Sequence, residues 1–207
     1  MNKLQINIIQ KDLVWEQIEA NLKDFDQLIS ENKKAADLWV LPEMFSTGFT
    51  MNPHEFAEIE EESLALKFLI KKAQEHQAVF CGSLSIKENS NYYNRLYFVY
   101  PDGHYVHYNK RHLFSLAGEE KFYQAGRERV IVELKGFKIL LQVCYDLRFP
   151  VFSRNRGDYD LIIYVANWPD RRIHHWNALI PARAIENQSF VIACNRIGKD
   201  GNGIEHS

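Results

Sequence analysis

Short apolar stretches alternate along this chain with segments whose apolar residues recur at helical spacing. The segment from Trp15 to about Lys33 has the spacing of an amphipathic helix, and Leu4–Ile9 and Leu38–Leu41 on either side of it are typical of strands. Further helices are predicted over 60–77 and 174–188, and further strands at 79–86, 92–100, 105–108, 130–134, 137–141, 161–165 and 190–194. This order is typical of an α/β domain with a mixed sheet rather than a plain doubly wound one.

The length of the chain and one proline complete the expectation for the fold. At 207 residues the chain can bury one substantial core, so we expect a single domain spanning 1–207. Pro181 interrupts the last helical segment, because proline lacks the N–H that a helix interior needs. It predicts a kink at that point, or the first turn of a second helix.

The stretch Gln142–Pro150 places a cysteine where an apolar strand ends. Gly136 sets off the apolar run before Cys144, and polar and turn-forming residues follow that cysteine at once. A thiol on such a corner is held by rigid backbone and can still face a cleft, which is the placement that nucleophilic catalysis requires.

Two ionisable residues, Glu43 and Lys110, also come just after apolar or alternating runs. A free thiol has a pKa near 8.5, so Cys144 needs a base or a cation beside it. Glu43 can take the thiol proton and return it to a leaving amine, and Lys110 can stabilise an oxyanion together with the backbone N–H of Tyr145. The set predicts hydrolysis of an amide or nitrile through a thioester. The structural alternative is a packed cysteine and two solvated charges.

Histidines offer weaker alternatives. His174 and His175 precede the last helical segment and could form a Cys-His pair with the cysteine, which is the main rival among enzyme mechanisms. We predict no metal site at His104, His107 and His112, because two of them lie on different faces of a strand and no carboxylate completes a ligand set.

Composition excludes several classes of protein. The net charge is −2 and the pI about 6.4, so we expect no nucleic-acid partner. No apolar run approaches the roughly 20 residues of a membrane span, and the alternating first ten residues do not resemble a signal peptide. The three cysteines are odd in number and lack CxxC spacing, which argues against a disulfide framework or structural zinc site and for the cytoplasm.

Several longer motifs together carry a family resemblance: Leu41–Phe45, Lys110–Phe114, Val143–Pro150, Tyr164–Pro169 and Ala182–Gln188. They resemble the nitrilase superfamily of carbon–nitrogen hydrolases, whose Glu-Lys-Cys signature they match in chain order. The resemblance is strongest to the bacterial omega-amidase branch, the 2-oxoglutaramate amidases. It implies a four-layer α-β-β-α sandwich that forms a homodimer.

The resemblance also assigns roles to residues. It implies that Cys144 is the nucleophile, Glu43 the general base and Lys110 the third member of a triad. Members of the superfamily often carry a second glutamate in the loop after the lysine. Glu119 matches it by position, and the adjacent Glu120 is the alternative.

The activity that the resemblance implies needs no cofactor and acts on a small-molecule amide. The expected reaction releases ammonia from the omega-amide of small 2-oxo dicarboxylic acids, such as 2-oxoglutaramate. A nitrilase, an N-carbamoyl amidase and a catalytically idle binding protein on the same fold are the alternatives. Members of the superfamily continue beyond their match to Gly203–Ser207, so we expect the sandwich to lack its C-terminal strands.

Such a substrate has a carboxylate remote from the bond that is cut, and an arginine can bind it with two hydrogen bonds. Arg172, or failing that Arg171, follows the strand end at Trp168 and is the predicted clamp. Trp168 and Phe45 are predicted as apolar walls. The alternative is that both arginines are solvated loop residues.

Overall fold

Two main β-sheets and five helices make up the computed structural model, which describes residues 3–32 and 34–207. The strands are β1 (Ile6–Ile8), β2 (Leu38–Val40), β3 (Glu58–Ile59), β4 (Val79–Glu88), β5 (Asn91–Val99), β6 (Tyr105–Asn109), β7 (Ile131–Leu134), β8 (Phe137–Val143), β9 (Leu161–Ala166), β10 (Phe190–Asn195), β11 (Gly198–Lys199) and β12 (Glu205–His206). The helices are α1 (Ile18–Glu31), α2 (Pro53–Phe56), α3 (Leu64–His76), α4 (Pro150–Ser153) and α5 (Ile173–Asn187). None of these helices is long and apolar enough to cross a membrane.

The two sheets are both mixed. The first has the order β1-β2-β4-β5-β6, with β3 added on β4, and the second has the order β10-β9-β8-β7. In the first sheet β1, β2 and β4 are parallel, while β5 is antiparallel to both β4 and β6. Strands β2, β4 and β6 therefore all point the same way. In the second sheet β8, β9 and β10 are parallel.

Side chains that alternate along the strands separate the layers. On β2, Leu38 and Val40 belong to the core between the sheets, whereas Trp39 belongs to the core under α1 and α3. Because side chains alternate in the same way on β4, Cys81 lies in the core between the sheets and Phe80 lies in the core under the helices. Helix α5 packs against β10 of the second sheet. The predicted four-layer sandwich with mixed sheets is confirmed.

The helix boundaries differ from the sequence prediction for local reasons. Helix α3 begins at Leu64 rather than at residue 60, because the Ser63 hydroxyl accepts a hydrogen bond from Leu66 N and caps the helix. Helix α1 ends at Glu31, and its predicted end near Lys33 lies outside the described residues. A single helix, α5, runs through Pro181, so the predicted second helix is wrong.

Strand direction brings four loops to one region. Glu43 and Lys110 follow β2 and β6, which point the same way in the first sheet, while Cys144 and Asn167 follow the parallel strands β8 and β9 of the second sheet. Carboxyl ends of strands that share a direction lie at the same edge of a sheet. The polar residues after these strands therefore meet where the two sheet edges lie together.

Candidate active site

A buried lysine between two carboxylates forms the centre of the site. Lys110 Nζ lies 2.9 Å from Glu43 Oε1 and 3.0 Å from Glu119 Oε2. The three side chains have 0% exposure to solvent. Glu120 is exposed, so Glu119 is the carboxylate beside the lysine. Its loop is folded onto the site, where Glu119 Oε2 also accepts a hydrogen bond from Phe114 N at 2.6 Å.

Two asparagines fix the orientation of Glu43. Asn94 Nδ2 donates to Glu43 Oε1 at 2.8 Å and to Glu119 Oε1 at 3.3 Å. Asn167 N donates to Glu43 Oε2 at 2.8 Å. The Ser83 hydroxyl donates to Asn94 Oδ1, which turns the amide so that its N–H groups face the carboxylates. Both oxygens of Glu43 are therefore held by donors, and the carboxylate has one fixed position.

Cys144 occupies a strained corner of the backbone. Its φ of 44° lies in the left-handed region, which non-glycine residues seldom adopt. Buried Asp146 supports this corner, since its Oδ2 accepts hydrogen bonds from Val143 N at 2.9 Å and from the Tyr108 hydroxyl at 2.8 Å. The Asp146 Oδ1 accepts a third bond from His112 N at 2.9 Å. One carboxylate thus ties the corner to the chain on both sides of Lys110.

The thiol of Cys144 is in its protonated form in this environment. Burial raises the pKa of Cys144 well above its ordinary value, and the negative charge of Glu43 raises it further, while Lys110 acts in the opposite direction. The side-chain hydrogen bond between the thiol and Glu43 also favours the protonated form. The site therefore calls for a base that removes the proton as the sulfur attacks, rather than for a stable thiolate.

The charges of Lys110 and Glu119 respond to each other. Burial alone would lower the pKa of Lys110, but the negative charges of Glu119 and Glu43 outweigh it and raise the pKa, so the ammonium stays charged. Burial raises the pKa of Glu119, with Lys110 opposing the rise and Glu43 adding to it. Because it is buried and also lies near a second carboxylate, Glu119 holds a proton to higher pH than an exposed glutamate does.

This raised pKa predicts how stability depends on pH. The folded protein holds the Glu119 proton above the ordinary value of 4.5 that applies to the unfolded chain. The contribution of Glu119 to stability therefore declines as pH rises from 4.5 through its raised pKa, and stays low above it. Glu119→Gln removes this decline. The free energy of unfolding should be measured with urea from pH 5 upward for both proteins. The value for the variant should increase relative to that of the wild type as pH increases.

The matched control is Glu120→Gln, which makes the same change of charge at the exposed neighbour. Its stability should follow the wild-type pH curve. Parallel curves for Glu119→Gln and the wild type would show that Glu119 titrates normally in the folded protein.

Cys144 opens on a cavity of about 260 Å³. Cys144 is 8% exposed, whereas Glu43, Lys110 and Glu119 are at most 1% exposed. Tyr145 and Trp168 line the cavity as well. A molecule in the cavity can therefore reach the sulfur, and the charged groups are buried out of contact with bulk water.

Three arginines, Arg148, Arg171 and Arg172, also line the cavity. No carboxylate among the described residues forms an ion pair with any of them. The Arg172 guanidinium lies over the Phe114 ring, 4.8 Å from its centroid. Burial and the charges of Arg171 and Arg148 lower the pKa of Arg172, which marks a positive potential in the cavity. The arrangement favours an anionic ligand.

The structure does not place Phe45 in this cavity. Its ring packs 5.5 Å from Phe25 and 6.4 Å from Phe68, within the core under the helices, and it is fully buried. This position corrects the expectation that Phe45 forms a wall around a substrate, because the residue two places after Glu43 has turned to the opposite side of the sheet.

The structure gives no support to a Cys-His pair. His175 Nδ1 accepts a hydrogen bond from Arg148 Nη2 at 2.6 Å, and its ring lies edge-on to that of His174, with the ring centroids 4.1 Å apart. Neither histidine lines the cavity that contains Cys144. Across residues 3–32 and 34–207, no group of three histidine, cysteine, aspartate or glutamate residues is arranged to hold a metal ion.

Sequence reasoning missed Asn94, Asn167 and Arg148 as site residues. Asn94 lies inside β5, where nothing in the alternating pattern distinguishes it from a structural asparagine. Asn167 and Arg148 did carry a signal, since both lie within five residues after a buried strand, as Cys144 does. Asp200 and His206 also line the cavity.

Known proteins match this chain along nearly its whole length. The carbon–nitrogen hydrolase family model matches residues 4–207. The omega-amidase YafV of Yersinia enterocolitica is 49% identical over 98% of this chain and 78% of its own length. A 2-oxoglutaramate amidase of Bacillus subtilis is 36% identical over 96% of this chain and 78% of its own. Among solved structures, this chain is similar to XC1258 from Xanthomonas campestris, a CN-hydrolase superfamily protein with an arsenic adduct in its active site. The two superpose with a TM-score of 0.96 at 40% sequence identity, over all of this chain and 80% of the XC1258 chain.

Proposed function

The chain belongs to the carbon–nitrogen hydrolase family, and we propose that it is an omega-amidase. Its substrates are small 2-oxo dicarboxylic acids whose terminal carboxyl is an amide, such as 2-oxoglutaramate, and its products are the free acid and ammonia. The relatives that are named for this activity, at 49% and 36% identity, support the proposal. The observation that carries it is the cavity that joins Cys144 to three arginines, none of which forms an ion pair with a carboxylate of the described residues.

The proposed chemistry begins with attack by Cys144. Glu43 takes the thiol proton while the sulfur forms a bond to the carbonyl carbon of the amide, and the carbonyl oxygen becomes an oxyanion. The Lys110 ammonium and the backbone N–H of Tyr145 stabilise this charge. Glu43 then gives its proton to the nitrogen, the carbon–nitrogen bond breaks, and ammonia leaves behind a thioester on Cys144.

Water completes the cycle. Glu43 takes a proton from a water molecule as its oxygen attacks the thioester carbonyl, and the carbon–sulfur bond breaks. The sulfur recovers a proton from Glu43, and the carboxylic acid is released. In this scheme Glu119 holds Lys110 in place, because both of its carboxylate oxygens accept hydrogen bonds from the ammonium.

An assay panel tests this proposal. Ammonia release should be fastest from 2-oxoglutaramate, and much slower from glutamine, a simple nitrile and an N-carbamoyl amino acid. Fastest turnover of the nitrile or the carbamoyl compound would assign the chain to one of the other branches of the family. No turnover of any of the four compounds would favour a catalytically idle protein.

Arg172 is the residue that we assign to the distal carboxylate of the substrate. It is half-buried in the cavity wall, whereas Arg171 is exposed. Arg172→Met should raise KM for 2-oxoglutaramate by roughly tenfold or more through loss of a charge-assisted contact, and should barely change KM for an uncharged short amide. Steady-state kinetics on both amides measure the difference.

Arg171→Met is the matched control, because it removes the same charge from the adjacent position. A similar rise in KM for both variants would show that the substrate responds only to the general positive potential. Equal effects of Arg172→Met on the charged and uncharged amides would place the clamp elsewhere, with Arg148 as the next residue to test.

Three further properties belong to the same proposal. The shared core between the two sheets supports a single hydrolase domain over 1–207. The cysteines Cys81, Cys144 and Cys194 are free, which supports the reducing cytoplasm as the site of action.

The exposed apolar side chains concern the oligomeric state. Val151, Ile185 and Phe190 are each more than 70% exposed, which supports a homodimer that covers them. Light scattering coupled to size-exclusion chromatography tests the dimer.

A further inference from the structure

Asn167 lies beside the nucleophile at the edge of the second sheet. Val143 pairs with Val165 in the parallel β8–β9 ladder, so Cys144 and Asn167 leave the sheet at neighbouring positions. Asn167 lines the same cavity as the thiol, and only 6% of its surface is exposed. It is therefore placed to contact whatever binds at the sulfur.

Hydrogen bonds determine which way the Asn167 amide points. Its Nδ2 lies 2.6 Å from the backbone oxygen of Glu43 and 3.5 Å from Glu43 Oε2. A carbonyl oxygen and a carboxylate oxygen only accept hydrogen bonds, so the NH₂ group of the side chain must face them. The side-chain oxygen, Oδ1, must then lie on the opposite side of the amide.

Asn167 Oδ1 is buried and accepts no hydrogen bond from the residues that the structure describes. Buried carbonyl oxygens are nearly always paired, because a buried acceptor without a donor loses the hydrogen bonds that water would give it. An unpaired acceptor in the wall of a cavity next to a nucleophile is a position for a donor from the bound ligand.

We propose that Asn167 Oδ1 accepts a hydrogen bond from the amide N–H of the substrate and so selects amides over acyl compounds that lack this donor. The proposal rests on the hydrolysis at Cys144 argued above. Glu43 must come within reach of the substrate nitrogen to return a proton to it, and Asn167 lies against that carboxylate. As the nitrogen gains its third proton it becomes a stronger donor, so the contact strengthens towards the transition state.

Comparison of an amide with an ester tests the role. The substrates are 2-oxoglutaramate and 2-oxoglutaric acid 5-methyl ester, which share the distal carboxylate and differ in the N–H donors. Asn167→Ala should lower kcat/KM for the amide at least about tenfold more than for the ester. The variant also loses the Nδ2 contact to Glu43. Any resulting displacement of Glu43 should lower kcat/KM for both substrates, because hydrolysis of both depends on this base.

Two more variants serve as a replacement for Asn167→Ala and as a control. Asn167→Ser is a smaller change that keeps a polar group, and it can replace Asn167→Ala if that variant does not fold. It should also shift the ratio of the two kcat/KM values towards the ester. Asn195→Ala is the matched control, since Asn195 is also a buried asparagine and its Oδ1 already accepts a hydrogen bond from Trp168 N at 2.6 Å. Its ratio should stay at the wild-type value. Equal losses on amide and ester in both Asn167 variants would overturn the proposal.

Binding to a protein that cannot turn over separates this inference from the proposed activity. In the Cys144→Ala background, calorimetry should show tighter binding of the amide than of the ester, and a further Asn167→Ala change should abolish that preference. Failure of the wild type to release ammonia from 2-oxoglutaramate would count against the proposed function. Equal binding of amide and ester, or a preference that persists without Asn167, would count against the role of Asn167.

Discussion

Cys144→Ala should abolish ammonia release while the protein remains folded. Among the described residues that line the cavity, Cys144 is the one thiol, and Cys81 and Cys194 are fully buried inside strands. Loss of a nucleophile that acts within a catalytic set lowers kcat by roughly 10³-fold or more. The thiol lies at the edge of a cavity and fills little of the core, so the midpoint of thermal unfolding should change little. Measurements of turnover and of thermal unfolding on one preparation check both statements.

The two remaining cysteines provide matched controls. Cys81→Ala and Cys194→Ala should each keep substantial turnover and lose about 1 kcal/mol or more of stability, because each change leaves a void in the core between the sheets. Appreciable activity in Cys144→Ala would overturn its assignment as the nucleophile. Loss of activity in folded Cys194→Ala would weaken that assignment.

Lys110→Met should have the largest effect on stability. It leaves Glu43 and Glu119, both fully buried, without the cation that lies within 3.0 Å of each. Removal of one partner from a buried ion pair costs about 3–5 kcal/mol. Urea unfolding should show a loss of that order, and turnover should fall to the background rate because the oxyanion loses its positive neighbour.

The control for Lys110 is Lys72, a second lysine that is buried in the described part of the chain. Lys72 has 5% side-chain exposure, but its partners Asp26 and Glu75 are 52% and 43% exposed and can turn to water. Lys72→Met should therefore lose much less stability and keep turnover. Adding Glu119→Gln to Lys110→Met should restore part of the stability and none of the activity. A Lys110→Met protein as stable as Lys72→Met would contradict the buried cluster.

The sequence predicted most of the fold and the centre of the site for identifiable reasons. Alternating apolar residues on strands such as β2 and β4 reveal which elements exist, and the motifs around Glu43, Lys110 and Cys144 resemble those of a known family. The position of Phe45 could not be predicted, because Met44 has a φ of 43° and the chain turns sharply after Glu43. That turn decides whether an aromatic ring faces the cavity or the core.

The asparagines of the site illustrate a second limit. Asn94 contacts Glu43 and Glu119 only because β5 lies beside β4 and β6, so its role depends on contacts that no short motif contains. Its partner Ser83, on β4, is equally inconspicuous in the sequence. The charges could be predicted from residue type and position, whereas the neutral groups that orient them become evident only from the packed sheets.

The division of the site between two sheets has a consequence for how the chain acquires its activity during folding. Glu43 and Lys110 follow strands of the first sheet, and Cys144 follows a strand of the second, so neither sheet contains the complete set. An intermediate in which one sheet has formed and the other has not is inert, whatever its content of secondary structure. Recovery of turnover after denaturation thus reports the docking of the sheets, which is the step that closes the longest loops in the chain.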